Sequence, residues 1–212
     1  RSMFRFVPCD PDSNGKYLAV DPTKTGVRCI TNSRQQSQGT VLISFVGSDD
    51  DGADAHDTDL QPLARGTTST LVIRCNKKPG RMRYFIGVCP VNAFSSLAAG
   101  SSEIASKSFS LEALKSKPNK VGEPCQRSGL PGFHTGSIVV MQIEYSADRR
   151  WMRVGWHVDS TNLDEFVEAD LVKLGISKEQ FCPFVSLYNK DAEFELVESS
   201  QSVLAADREG NI

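Results

Sequence analysis

The chain has 212 residues, of which 39% are hydrophobic and 24% charged, with a formal net charge of −2. That supplies one sizeable core, and an all-β domain of this length can be a single unit. The near-neutral balance argues against a nucleic-acid binder working through whole-domain charge, and no apolar run is long enough to span a bilayer.

The N-terminal residues, Arg1 to Phe6, lack the apolar stretch of a signal peptide. Met3 is expected to be the first native residue, with Arg1 and Ser2 left from cloning. Short β-branched and aromatic runs then predict strands at residues 4–7, 17–20, 27–30 and 41–46. Residues 47–60 read as a loop carrying Asp49, Asp50, Asp51, Asp54, Asp57 and Asp59. Further strands are predicted at 70–75 and 83–88, joined by a hairpin turn at Lys77-Lys78-Pro79-Gly80-Arg81, where Pro and Gly supply turn geometry. Residues 98–102 and 115–136 are rich in small residues, Gly, Pro and Ser and read as loops, with a helical turn expected at 110–114.

In the C-terminal half, strands are predicted at 138–145, 151–156, 181–187 and 193–197. Met141-Gln142-Ile143-Glu144-Tyr145 alternates apolar and polar residues, which buries one face and wets the other. Between them, residues 161–175 place Leu163, Phe166, Val167, Leu171 and Leu174 at near-helical spacing. Thr161 and Asp164 are set like a capping box, with Gly175 as a stop. A short helix and an extended loop lying over the core remain equal readings there. Residues 1–198 are taken as one domain and 199–212 as a polar tail that frays. The fold class this predicts is an all-β antiparallel sandwich with one or two short helices.

Six cysteines are present. Cys29, Cys75, Cys89 and Cys182 sit in apolar runs, where free Cys behaves as a small hydrophobe, and no C-x-x-C pair or zinc spacing occurs. Reduced thiols and a cytoplasmic location are therefore expected. The acidic loop fails as a calcium loop: aligning on Gly52 puts Gly47 at the first ligand position and Thr58 at the twelfth, so the bidentate carboxylate is missing. Neither a metal nor a cofactor is expected.

Catalytic signatures are thin. The three histidines are His56, His134 and His157. A Cys125–His134 pair stays open as a thiol nucleophile and its base, but no nucleophile elbow or phosphate-cradling glycine loop is written here. The expectation is a non-enzyme. Lys77, Lys78, Arg81 and Arg83 form a basic stretch that reads as a solvated turn or as a patch for RNA or an acidic ligand.

One pattern is more specific. Gly136 leads a strand through Tyr145, a polar turn follows at Asp148-Arg149-Arg150, and Trp151 to Trp156 reads as the next strand. After an insert comes Phe181-Cys182-Pro183-Phe184-Val185-Ser186-Leu187-Tyr188. This resembles the SPRY family, with its "G-D-x-I-G", turn, "F-x-x-N-G", insert and "L-Y-P-A-V-S-L" order. Arg83-Tyr84-Phe85-Ile86-Gly87-Val88-Cys89 is similar to that family's "V-G-V-A" strand, and Ala19-Val20-Asp21-Pro22-Thr23 to the "L-D-P-x-T" of members with a PRY extension. Ser137 departs from the usual Asp.

The resemblance implies a bent sandwich of the SPRY (concanavalin-like) type. Its loops at one end would bind a protein or peptide, within a larger protein and with the isolated domain monomeric. By position it implies contacts from Tyr188, Asn189 and Lys190 after one strand and from Asn92 and Phe94 after another. A core role for Tyr188 is an equal alternative, and Phe94 reads more as core than as anchor. Pro183 should sit at a strand start or edge, with Val185 and Leu187 on one face and Phe184 and Ser186 on the other.

Overall fold

A computed structural model describes residues 4–8, 16–31, 39–45, 60–80, 84–92, 108–113, 121, 132–159 and 161–205. Among them run the strands β1 (Phe4–Pro8), β2 (Leu18–Val20), β3 (Gly26–Cys29), β4 (Thr40–Phe45), β5 (Thr67–Lys77) and β6 (Phe85–Pro90). They are followed by β7 (Phe109–Glu112), β8 (Ile138–Tyr145), β9 (Trp151–Val158), β10 (Thr161–Asp170), β11 (Phe181–Ser186) and β12 (Glu193–Val203). They build an all-β sandwich. One five-stranded sheet has the order β1-β4-β11-β6-β7, and a seven-stranded sheet has the order β10-β9-β8-β5-β12-β3-β2. Every neighbouring pair is antiparallel.

The burial patterns explain why each strand reads as it does. In β5, Leu71, Ile73 and Cys75 are buried while the residues between them are only half-covered, so the strand alternates with period two. β8 does the same with Val139, Met141 and Ile143. In β6 and β11 every residue is buried. Ile86, Val88, Phe181 and Val185 enter the core between the sheets. Phe85, Cys89, Cys182 and Phe184 join Leu42 in a second apolar cluster on the opposite face. A strand buried on both faces has no polar side to show, hence its continuous apolar run. Val185 and Leu187 share the inter-sheet core and Phe184 lies on the other face, as the alternation requires.

The hairpin β2–β3 turns at Asp21-Pro22-Thr23. Asp21 Oδ1 accepts from the Thr23 hydroxyl (3.0 Å) and the Thr25 amide (2.9 Å), an Asx-type closure that Asp supplies and most residues cannot. The Lys24 carbonyl then takes the Phe6 amide at 2.7 Å, docking β1 onto that turn.

Several expectations are corrected. Residues 161–175 form no helix: 161–170 are edge strand β10, paired with β9, and only 171–175 are a turn. The backbone pairing shifts register between Asn162 and Phe166, so the strand does not keep one period over its length. The cap in that region is Asp170, whose Oδ1 takes the Val172 and Lys173 amides at 3.0 Å. It opens one tight turn ended by Gly175 at φ 71°.

The expected helical turn at 110–114 overlaps strand β7, where Phe109 and Leu111 reach the core. β5 and β6 are not the two arms of a hairpin: they lie in different sheets, so the chain crosses from one sheet to the other between them.

Pro183 is in central strand β11, not at an edge. It faces Val88 in β6, and the β4 ladder begins only at Phe184. Val91 N donates to Gln180 O, so by alternation the Pro183–Val88 pair is a non-hydrogen-bonded one and β6 loses no bond to the missing amide. Residues 199–203 continue β12 against β5 instead of fraying, and Leu204 is buried. The acidic loop 47–59, Cys9, Cys125, Phe94, Arg81, Arg83, residues 98–102 and residues 206–212 lie outside the described residues.

Candidate interaction surface at one end of the sandwich

β12 starts at Glu193 opposite Lys77, the last residue of β5. Antiparallel pairing therefore places the segment that precedes β12, residues 187–192, beside the one that leaves β5, residues 78–80. The two segments are joined through one acceptor. The Pro79 carbonyl oxygen receives both the Asn189 Nδ2 donor and the Tyr84 hydroxyl, each at 2.8 Å. Gly80 sits at φ 73°, and a Cβ there would lie 2.7 Å from Asn189 Nδ2. Both the left-handed backbone and the close approach demand glycine.

Other contacts brace the same end. The Lys78 amide donates to Thr135 Oγ1 at 2.9 Å, bringing in the segment before β8. The Asp191 amide donates to the Cys29 carbonyl (2.8 Å) and the Cys29 amide to the Ala192 carbonyl (2.8 Å), which fixes the loop to β3. Beneath lies a ring cluster: Phe194 packs 6.3 Å from Tyr84 and 6.1 Å, edge-on, from Phe133. Burial pushes the Tyr84 hydroxyl above its ordinary pKa, so it stays a protonated donor to Pro79.

On this base the side chains differ in their freedom. Tyr188 is half-buried and Lys190 exposed. Asn189 is committed to Pro79, which makes it a brace and not a free contact. Lys77 Nζ stands 3.9 Å from Asp191 Oδ2, both well exposed, an ion pair of small worth. Lys78 Nζ lies 5.3 Å from the Tyr84 ring centroid, and burial lowers its pKa from the ordinary lysine value. The loop predicted to bind a partner and the basic turn predicted as its alternative are thus one surface.

Asn92 does not belong to it. The Val91 amide bonds the Gln180 carbonyl at the Pro90 end of β6. Tyr84 and Lys78 lie at its other end, about 20 Å away for a six-residue strand. The bracing residues Pro79, Thr135 and Asp191 were not among the sequence candidates; the Pro79-Gly80 pair was their only legible sign.

The catalytic candidates resolve differently. His134, Ser137 and Asp159 come together: Ser137 Oγ is 3.2 Å from His134 Nδ1 and 3.1 Å from Asp159 Oδ2. A hydrolytic triad places the histidine between the hydroxyl and the carboxylate. Here the buried serine hydroxyl lies between the two, and Asp159 Oδ1 is occupied by the Ile138 amide at 2.9 Å. The trio closes the start of β8 against the end of β9. Cys29, Cys75, Cys89 and Cys182 are buried free thiols. Burial raises Cys29 to about 11 and Cys75 and Cys182 to about 12, far from the thiolate form at neutral pH. Among the described residues no group of three metal-ligating side chains converges, and no helix is long and apolar enough to cross a membrane.

The antiparallel two-sheet sandwich matches that of solved SPRY domains. The SPRY domain of human HERC1 superposes with a TM-score of 0.52 at 12% identity, over 91% of this chain and 97% of that one. The TRIM65 PSpry domain gives a TM-score of 0.56 at 14% identity, over 93% and 90%. No protein-family model and no curated protein matches the chain. Likeness at such identities establishes the fold, and function must be argued from the residues.

Proposed function

We propose that this domain is a noncatalytic protein-recognition module that holds a segment of a partner against the surface formed by Lys77, Lys78, Tyr188 and Lys190. The observation that carries the reading is the double hydrogen bond to the Pro79 carbonyl. It locks segments from two parts of the chain into one shape before any ligand arrives, and such preorganisation spares the entropic cost of ordering loops on binding. Tyr188 supplies a rigid amphipathic contact at that rim, and the lysines suit acidic side chains on the partner. The SPRY fold and the serine-centred geometry at Ser137 support the noncatalytic part. The buried free thiols support a reducing, cytoplasmic setting.

Tyr188→Ala is expected to lower affinity for a bound partner at least about tenfold, ~1.4 kcal/mol, with the melting transition unchanged. A partner held equally well by the folded variant would sink this face as the binding site. Asn189 must stay intact in that test, since its loss would release the brace and confuse folding with recognition. The same lysines allow an RNA or acidic-ligand reading. That reading requires affinity that falls steeply and linearly with log salt and survives Tyr188→Ala, whereas the protein contact loses its affinity with Tyr188.

A further inference from the structure

A second surface lies at the other end of β5, an 11-residue strand, and is independent of the Tyr188 rim. The turn before β5 and the turn between β8 and β9 abut there. Gly66 N donates to the Tyr145 carbonyl at 2.8 Å, and a Cβ on Gly66 would lie 3.3 Å from the Ala147 Cβ. Each turn carries an arginine. Arg65 is exposed, and Arg149 sits at φ 63° with its amide on the Ser146 carbonyl (3.2 Å). Left-handed backbone is costly for arginine where Asn or Gly would be cheap, and strain of this kind collects at functional positions.

Neither arginine has an ion-pair partner among the described residues, and Arg149 Nε is buried without a hydrogen bond. Tyr145 between them is 2% exposed, held edge-on to Phe181 at 5.7 Å, and its hydroxyl bonds nothing in the described residues. Both guanidinium charges act on that hydroxyl and oppose the rise that burial gives its pKa. The acid in the same turn, Asp148, is engaged by the Arg150 amide at 2.9 Å.

We infer that Arg65, Arg149 and the Tyr145 hydroxyl form an anion site for a phosphate monoester. All three groups are donors at neutral pH, so they suit a ligand that only accepts, and two guanidinium charges without ion pairs among the described residues match a dianion better than a single carboxylate. The guanidinium forks bind the phosphate oxygens and the phenol takes one more.

The test is titration of the domain with methyl phosphate, inorganic phosphate and acetate at constant ionic strength, following the Gly66 and Ala147 amide resonances, which both the wild-type chain and its variants carry. A saturable shift is expected with both phosphates, at least about tenfold tighter than with acetate, because each charge-assisted bond is worth on the order of that factor. Arg65→Gln with Arg149→Asn removes both charges while Asn tolerates the left-handed backbone, and should abolish saturation. Acetate binding as tightly as phosphate, or a linear shift that persists in the double variant, would overturn the site. Inorganic phosphate binding without methyl phosphate would overturn the monoester assignment. If the double variant fails to fold, the comparison of methyl phosphate with acetate on the wild-type chain still decides.

Discussion

Phe194→Ala is expected to destabilise the domain by about 3–5 kcal/mol, a large part of the ~5–15 kcal/mol that holds a domain of this kind together. Phe194 is fully buried. Its ring is the shared neighbour of Tyr84 and Phe133, which themselves do not contact each other through a ring pair. Its backbone pairs with Val27 in β3 on one side and Cys75 in β5 on the other, beside a register shift in β12. Truncation leaves a cavity under the very residues that position Pro79, so the loss should reach beyond stability. Urea unfolding reads the first effect as a lower midpoint with an unchanged slope. The second would appear as weakened partner binding even where the variant remains folded. A midpoint shift of well under 1 kcal/mol would mean that the ring cluster is not the support described.

The second large effect is expected at a glycine. Gly87 faces Phe184 in β11 and Ser110 in β7. A Cβ at this position would meet the Phe109 carbonyl oxygen and come within 2.6 and 2.7 Å of the Ser110 Cβ and Cα. Those obstacles are mostly backbone, so no rotamer change relieves them. The four-residue edge strand β7 has to move. Gly87→Ala is expected to cost about 3 kcal/mol, the upper range for overpacking, through local detachment of β7. Amide exchange should then accelerate at Phe109 to Glu112 more than in β8.

Gly155→Ala is the instructive contrast. There the new Cβ meets the Phe166 ring at 2.5 Å, a side chain on an edge strand that can swing aside. Arg153, stacked 3.8 Å from that ring, would lose its partner, but the cost should stay near 1 kcal/mol.

These effects also show where sequence pattern carried the fold and where it stopped. Period-two alternation located β8 and the start of β12 because each has one face against the core and one facing outward. The unbroken apolar runs of β6 and β11 were legible as strands, yet their consequence was not. They lie in a different sheet from β5, which no local pattern encodes, so the apparent hairpin at Lys77-Lys78-Pro79-Gly80 is a crossover. In β10 the pairing shifts register between Asn162 and Phe166, so no single period marks it as a strand. Ser199 to Val203 looked like a polar tail because β12 there pairs with β5 through backbone bonds, burying little besides Ser199 and Leu204.

For the surface, the sequence supplied Tyr188, Lys190, Lys77 and Lys78 as separate candidates. What joins them is the β5–β12 register, a long-range pairing that no local pattern encodes. The same register separates Asn92 from them, placing it at the far end of β6. Nothing in the sequence joined Arg65 to Arg149 for the same reason: their turns meet only because Thr67 pairs with Tyr145.

The central claim is that one preformed end of the sandwich recognises protein. Its most direct measurement is amide chemical-shift mapping of the labelled domain with an unphosphorylated peptide selected from a display library for binding to it. The account predicts that the largest perturbations fall on Lys77, Lys78, Gly80, Tyr188 and Lys190, with Asn92 and Arg65 unmoved. Perturbations centred on Asn92 and the Pro90 end of β6, with Tyr188 and Gly80 silent, would contradict it.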